Sequence, residues 1–416
     1  MNLFKKKVKG DIRVIASNFM SLTILQIANY ILPLITLPFL IRTLGPDKFG
    51  LVMFAQSLAA FLIIVVDFGF TLSGTREVSI YRSDRDKLSH IFSAIMTVKL
   101  ILIVTCIILL YLIVELIPRF KEDAFVYYLS FGTVIGHAIF PVWFFQGIEK
   151  MKFVTGINIL AKIIFTLLIF IVIRKESDYI LVPAFNSIGF IIAGLLGFIL
   201  SLKHIKLVRP NIEFLKRLVS ENVSLFLAKL ATNLYTTCNV LILGLFAGNT
   251  IVGVYASMEK LIIAVKNSYS PLYQSLFPWL SKQLPAKRIV VLKKIAPFIF
   301  GAGTIITTLI FIFGEHILTL IYNNELITSY TSVFRILSLI AIFAGLNMMF
   351  TNLYFPSVKM YKTRMYIFII GGLFNLILSI ILVKMYGIYG MASAVTLTEC
   401  FLLVLGIYYF NKYSNT

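Results

Sequence analysis

Runs of about 20 apolar residues recur along the whole chain, and between them lysine, arginine, aspartate and glycine gather in short stretches. A bilayer core takes about 20 residues of α-helix. The pattern predicts about twelve spans, near 14–41, 49–71, 91–117, 126–146, 154–173, 179–200, 222–247, 252–280, 295–321, 330–355, 365–385 and 389–410. Of the 38 Lys and Arg residues, 25 fall at the two ends and in every second loop, and 7 in the alternate loops. Basic loops close to a span stay in the cytoplasm, so both termini are expected there, as an even number of spans requires. Lys5, Lys6, Lys7, Lys9 and Arg13 precede the first run in the manner of a signal peptide. That run is too long for one and has no small-residue cleavage site, so it is expected to be an uncleaved span.

The longest cytoplasmic segment, 201–221, divides the chain almost in half and separates an expected N-terminal lobe (1–200) from a C-terminal lobe (222–416). A repeat crosses it. Arg13, Asn18 and Asn29 match Arg217, Asn222 and Asn233 at a shift of 204, and Gly45, Gly50 and Leu58 match Gly248, Gly253 and Leu261 at a shift of 203. Six spans per copy give both copies the same orientation, so the pseudo-twofold axis should run along the membrane normal. The expected fold is therefore all-α and polytopic, with two six-helix lobes around a central cavity, the architecture of a transporter.

Composition agrees, with 59% hydrophobic and 13% charged residues against about 25% charged in a soluble domain. Cys106, Cys238 and Cys400 lie far apart in apolar runs and read as small core residues, neither a disulfide framework nor a metal site. The net charge of +20 does not indicate nucleic acid, because the basic residues are spread over short loops and are not gathered on one soluble face.

Six basic residues remain inside spans: Lys99, Lys162, Lys229, Lys260, Lys266 and Arg335. Each would cost about 2.5–3.5 kcal/mol at a span centre facing lipid. Arg335 and Lys162 can snorkel, whereas Lys99, Lys229 and Lys266 lie deep enough to line a wet cavity. Residues three and four apart share a helix face, so Lys229, Asn233 and Thr236 or Thr237 form a polar stripe on the seventh span. Asn18, Ser21 or Gln26, Asn29 and Thr36 form its counterpart on the first, where Pro33 and Pro38 interrupt the helix. Asn and Thr at such positions also serve simply to bond one helix to another. Acids are fewer: Asp67, Glu259 and Glu399. Glu259 adjoins Lys260 but faces elsewhere, so its partner is expected on another span. A carboxylate in the cavity either takes a proton or sodium and couples transport to an ion gradient, or neutralises a lysine, and His137 carries the same two readings. A surplus of cations favours an anionic ligand and disfavours an organic cation. The loop residues Arg76, Arg82, Arg85, Lys150 and Lys152 would attract anions on the cytoplasmic side.

Several apparent motifs carry no chemistry. Asp67-Phe68-Gly69 spells a kinase magnesium triplet without any companion kinase motif, and Asp84-Arg85-Asp86 lies in a loop too short to hold a nucleotide-sugar domain. There is no phosphate-binding glycine loop, HExxH or GxSxG. No cofactor is expected, and no enzymatic activity.

The runs Leu44-Gly45-Pro46-Asp47-Lys48-Phe49-Gly50, Val66-Asp67-Phe68-Gly69-Phe70 with Ser73-Gly74-Thr75-Arg76-Glu77, and Phe145-Gln146-Gly147-Ile148-Glu149-Lys150-Met151-Lys152 resemble the Wzx-type flippases that export O-antigen and related polysaccharide repeat units. The resemblance implies the multidrug/oligosaccharidyl-lipid/polysaccharide transporter fold. It also implies an undecaprenyl diphosphate carrying a short oligosaccharide as substrate, moved between leaflets of a bacterial inner membrane. A polysaccharide polymerase and a glycosyltransferase are implied as pathway partners. On this basis Lys229, Lys99 and Lys266 are expected to attract the diphosphate, and Asn29, Asn233 and Thr236 to contact sugars. Asp67, Arg76 and Glu77 are expected to organise a gate, and Glu259 and Glu399 to be coupling candidates. Alternatives are a drug/cation antiporter of the same fold, which needs an acidic cavity, and a membrane polymerase or ligase, which needs a large outer loop. A structural scaffold would have no use for deep lysines.

Overall fold

The computed structural model describes residues 2–414, and their side chains apart from those of residues 2–19, 21, 22, 27, 30, 234, 278 and 414. The side chains of Arg13 and Asn18, expected in the repeat, thus lie outside the described residues, as does that of Ser21. No strand occurs among the described residues. Two compact units are present, one taking the chain up to Thr36 with Leu58–Lys229, the other Leu37–Ser57 with Leu230–Thr416.

The elements in chain order are α1 (Asn2–Asp67), α2 (Phe70–Ile80), α3 (Arg85–Leu116), α4 (Pro118–Lys121), α5 (Ala124–Ile139), α6 (Val142–Gly147), α7 (Met151–Val172) and α8 (Leu181–Leu202), the last preceded by a 3₁₀ turn at Glu176–Ile180. There follow α9 (Ile212–Thr236), α10 (Asn239–Phe246), α11 (Asn249–Ser268), α12 (Ser270–Ser281), α13 (Pro285–Tyr322), α14 (Glu325–Ser329), α15 (Thr331–Ser338) and α16 (Ile340–Met348). A π-helical turn, Met349–Tyr354, leads to α17 (Phe355–Ser357) and α18 (Tyr361–Ser414).

Among the described residues, eight helices are long and apolar enough to cross a bilayer. Two of them are pairs of helices joined at a kink, α1 at Gly45 and α18 at Gly387. Two further stretches, α9 with α10 and α11 with α12, are made more polar by the lysines, asparagines and glutamate of the candidate site. The total is about twelve spans, as the pattern predicts, and the protein is a multi-pass membrane protein. The faces of α3 that carry Leu100, Ile101, Val104 and Ile108 are uncovered by protein, as lipid-facing side chains must be.

Segment boundaries differ from the expected ones where packing extends a helix into a loop. The 201–221 segment is irregular only up to Asn211, because Phe214, Leu215, Leu218 and Val219 of α9 join the hydrophobic cluster of the first unit around Phe92, Trp143 and Phe144. The irregular part is held to α3, where Ser89 Oγ accepts from the Lys206 amide (2.9 Å) and Ser93 Oγ from the Val208 amide (3.0 Å). In the second unit three buried tyrosines close helix against helix: Tyr269 and Tyr273 donate to the carbonyls of Ala341 (3.0 Å) and Gly345 (2.5 Å), and Tyr322 to that of Ser257 (2.8 Å). Arg42 donates to the last carbonyls of α13, Leu320 (2.9 Å), Ile321 (2.7 Å) and Tyr322 (3.3 Å), groups that have no partner within their own helix.

The repeat appears as a reciprocal contact in the second unit. A Cβ on Gly50 would lie 1.8 Å from the Asn249 carbonyl oxygen, and one on Gly253 would lie 2.0 Å from that of Pro46. Thr250 donates to Asp47 across the same contact (2.9 Å, 203 residues apart). Pro46 and Asn249, Asp47 and Thr250, and Gly50 and Gly253 are each related by the shift of 203 read from the sequence. Residue i meets j and j meets i, the signature of a twofold interface.

Candidate functional site

The first unit builds a charge cluster around Asp67. The long helix stops at Asp67 because Phe68 (φ 46°) and Gly69 (φ 83°) take left-handed conformations, which only glycine adopts at no cost. The break lets the chain lie directly on α9: a Cβ on Gly69 would sit 2.9 Å from that of Leu225. Beside it, Phe68 stacks on Phe226 with ring centroids 4.8 Å apart. One turn later Ser73 donates to Asn222 Oδ1 (2.5 Å), while Asn222 donates to the Leu218 carbonyl (2.8 Å). Positions 222, 225, 226 and 229 share one helix face, so the same docking brings Asp67 Oδ2 to Lys229 Nζ at 2.5 Å, and Thr71 donates to Asp67 Oδ1 (2.6 Å). The triplet that spells a kinase motif is in this protein a clasp.

Lys99 lies in the same field. Its side chain is buried at 3% exposure on α3, and Asp67 interacts electrostatically with both Lys99 and Lys229. Lys229 keeps 37% of its side chain exposed, against 13% for Asp67. His137 stacks on Phe190 at 4.9 Å and senses Lys99, Asp67, Lys162 and Lys229. Lys162 donates to Asn29, so it has a polar partner inside the unit and does not depend on snorkelling alone. Arg76 and Glu77 do not join the cluster. They face each other at 3.8 Å, with Arg76 largely exposed.

Their helix α2 instead packs on α6, where the stretches 73–77 and 145–152 come together. Thr75 donates to the Trp143 carbonyl (3.2 Å), Gly147 lies against Val78, and Arg82 pairs with Glu149 (3.1 Å).

The second unit holds the other cluster. Lys266 donates to Glu399, whose second oxygen accepts from Asn347 Nδ2 (3.2 Å), and the Lys266 ammonium lies 5.6 Å over the Tyr235 ring. Glu259 Oε1 accepts from Asn239 (3.1 Å), on another helix as expected, and from Tyr255 (3.2 Å). A cavity of about 240 Å³ joins both carboxylates, with Tyr235, Thr236 and Asn239 among its walls. Asn233 lies one turn earlier and accepts from Thr237 (3.2 Å). The polar stripe of the seventh span is thus divided, Lys229 falling in the first unit and Asn233 and Thr236 in the second.

Asn347, Asn239 and Tyr235 were not foreseen. A lone asparagine in an apolar run was the available signal for Asn347. Among the described residues no group of three or more His, Cys, Asp or Glu could hold a metal ion.

The fold is that of a class of membrane transporters. A multidrug transporter of the MATE family in the MOP superfamily, solved in an inward-facing conformation, superposes with a TM-score of 0.70 over 95% of this chain and 98% of its own, at 14% identity. The lipid II flippase MurJ, in an inward closed conformation, gives 0.71 over 93% and 87%, at 16% identity. Residues 15–284 match the family described as polysaccharide biosynthesis protein, and the chain belongs to that family. Two relatives bear the name "Putative O-antigen transporter". One, from Escherichia coli (strain K12), is 29% identical over 92% of this chain and 93% of its own length. The other, from Shigella dysenteriae, is 28% identical over 93% and 98%.

Proposed function

We propose that the protein flips an undecaprenyl-diphosphate-linked oligosaccharide, an O-antigen or related repeat unit, from the cytoplasmic to the periplasmic leaflet of a bacterial inner membrane. In this reading both termini are cytoplasmic, the two halves 1–200 and 222–416 act as lobes, and access to the substrate alternates between the two faces. The observation that carries the proposal is the excess of cations around Asp67: two ammonium groups, one of them accessible, attend a single carboxylate. A diphosphate approaching Lys229 competes with Asp67 for charge-assisted hydrogen bonds. Lys99 supplies the second positive charge, and recapture of Lys229 by Asp67 favours release.

Asn29, Asn233 and Thr236 are the sugar contacts in this reading. Lys266, expected beside the diphosphate, is held by Glu399, so we assign this pair and Glu259 to ion coupling. The buried oxygens Asn239 Oδ1 and Asn347 Oδ1 have no hydrogen-bond partner among the described residues, and such lone pairs suit a sodium ion as the coupled species, a proton on Glu259 or Glu399 being the other candidate. Arg76 and Glu77 remain gate candidates, and association with a polysaccharide polymerase belongs to the same reading.

The test is leaflet location of the lipid-linked repeat unit, read with a membrane-impermeant probe of the glycan at the outer face of the inner membrane. Cells with Lys229→Ala should accumulate single units inaccessible to the probe, about tenfold above cells with Lys229→Arg, which keeps the charge and the donors. Accessible, unpolymerised units in the Ala variant would show that the chain acts after flipping.

A further inference from the structure

Of the loop cations expected to attract anions, three come together in the structure. Arg76 faces Glu77, while Arg82, Arg85 and Lys150 meet Lys203 and His204 around a cavity of about 500 Å³. That size lies within the usual range of small-molecule sites, about 300–1,000 Å³. We infer that this cavity binds a phosphoryl headgroup carrying one or two negative charges.

The fold assembles these residues from three separate places. Arg82 and Arg85 flank the start of α3. Lys150 is presented by a turn in which Glu149 has φ 60° and the Lys150 amide donates to the Phe145 carbonyl (2.8 Å). Lys203 and His204 follow the end of α8. No carboxylate lines the cavity. Glu149 pairs with the lining residue Arg82 at 3.1 Å.

His204 supplies the positioning. Its Nε2 lies 2.8 Å from Lys150 Nζ, and with lysine as donor the imidazole must be neutral at that nitrogen. Burial and the Lys150 ammonium push the His204 pKa down, as Arg85 and Lys203 also do, while the Leu200 carbonyl works the other way. A neutral His204 thus orients Lys150 through one of its three N–H groups and leaves two to point at a ligand. The two arginines offer planar forks suited to phosphate oxygens. Leu88 and Ile148 complete the wall and suit the glycerol or acyl part of a lipid better than a bare ion. A basic pocket between spans is a common place for an anionic lipid headgroup.

The inference does not depend on the flippase reading, and the two can fail separately. Binding to the purified full-length protein in detergent is measured by calorimetry with dihexanoyl phosphatidylglycerol, dihexanoyl phosphatidylcholine and inorganic diphosphate. The expected result is binding of the glycerol lipid about tenfold tighter than the choline lipid, and a loss of about tenfold in the Arg85→Gln/Lys150→Gln double variant. Lys203→Gln, at an exposed position, should weaken binding about threefold and serves if the double variant does not fold. His204→Gln, which keeps an acceptor for Lys150, should bind nearly as the parent does, whereas His204→Leu should not. Binding of diphosphate with no preference between the lipids would assign the site to a free phosphate compound. Equal affinity for the two lipids without diphosphate binding, or binding unchanged in both the double variant and Lys203→Gln, would overturn the proposal. Lys229→Ala impairing export while leaving headgroup binding intact would separate this site from the transport site.

Discussion

In the first unit an aspartate at a helix end holds a lysine whose side chain is still 37% exposed, with a second lysine in the same field. In the second, a glutamate at 3% exposure holds a lysine at 21%, an asparagine completes it, and a second glutamate lies in the same cavity. One cluster has more cations than acids and an open edge; the other balances Glu259 and Glu399 against Lys266 and Lys260 and is more buried. The penalty for a charge in a membrane interior is met in both by pairing, but only the open cluster leaves room for the pair to change partners. A closed, amide-supported pair holds helices together or takes up a small ion, and an open, cation-rich pair suits a large anion.

The comparison breaks most visibly at Glu399. Glu399→Ala strands Lys266 and Asn347 in the interior and should cost about 3–5 kcal/mol, read as a loss of thermal stability in detergent. Asp67→Ala lets Lys229 turn to water but leaves the buried Lys99 without its carboxylate, and should cost somewhat less. Equal losses would mean that the first cluster is as structural as the second. Next in size is the reciprocal glycine contact, where backbone meets backbone and cannot yield. Gly253→Ala and Gly50→Ala should each cost about 1–3 kcal/mol by overpacking, and by similar amounts, since each methyl would strike the carbonyl opposite. The smallest effect on stability sharpens the comparison furthest. Lys99→Met replaces a buried cation by an apolar chain of like length and should leave thermal stability within about 1 kcal/mol of the parent, while lowering export roughly tenfold. A large loss of stability in this variant would make Lys99 a structural charge.

The spans, their approximate limits and the register of the repeat were legible in the sequence, because a bilayer demands apolar length and a repeat leaves fixed spacings. Gly50 and Gly253 were matched at 203 from the sequence and meet in the structure. One partner of Glu259 lies on another helix, at Asn239, as expected, and the other, Tyr255, on its own. The pairing of Asp67 with Lys229 across 162 residues was not legible. It depends on the left-handed turn at Phe68 and Gly69, which no periodicity announces, and on α9 starting at Ile212, inside a stretch whose charges read as a loop. The same limit hid Lys203 and His204, which look like ordinary basic linker residues until α8 ends beside the turn that carries Lys150.

The reciprocal contact at Gly50 and Gly253 also bears on descent. A half-length chain with a glycine at that position would meet a second copy of itself in the same way, each copy offering the other a bare backbone and a carbonyl. Duplication and fusion of such a chain would carry the contact over intact, while the charge clusters, which take no part in it, could diverge. Thereafter each glycine would be held in place by the carbonyl opposite it, one in either half of the chain.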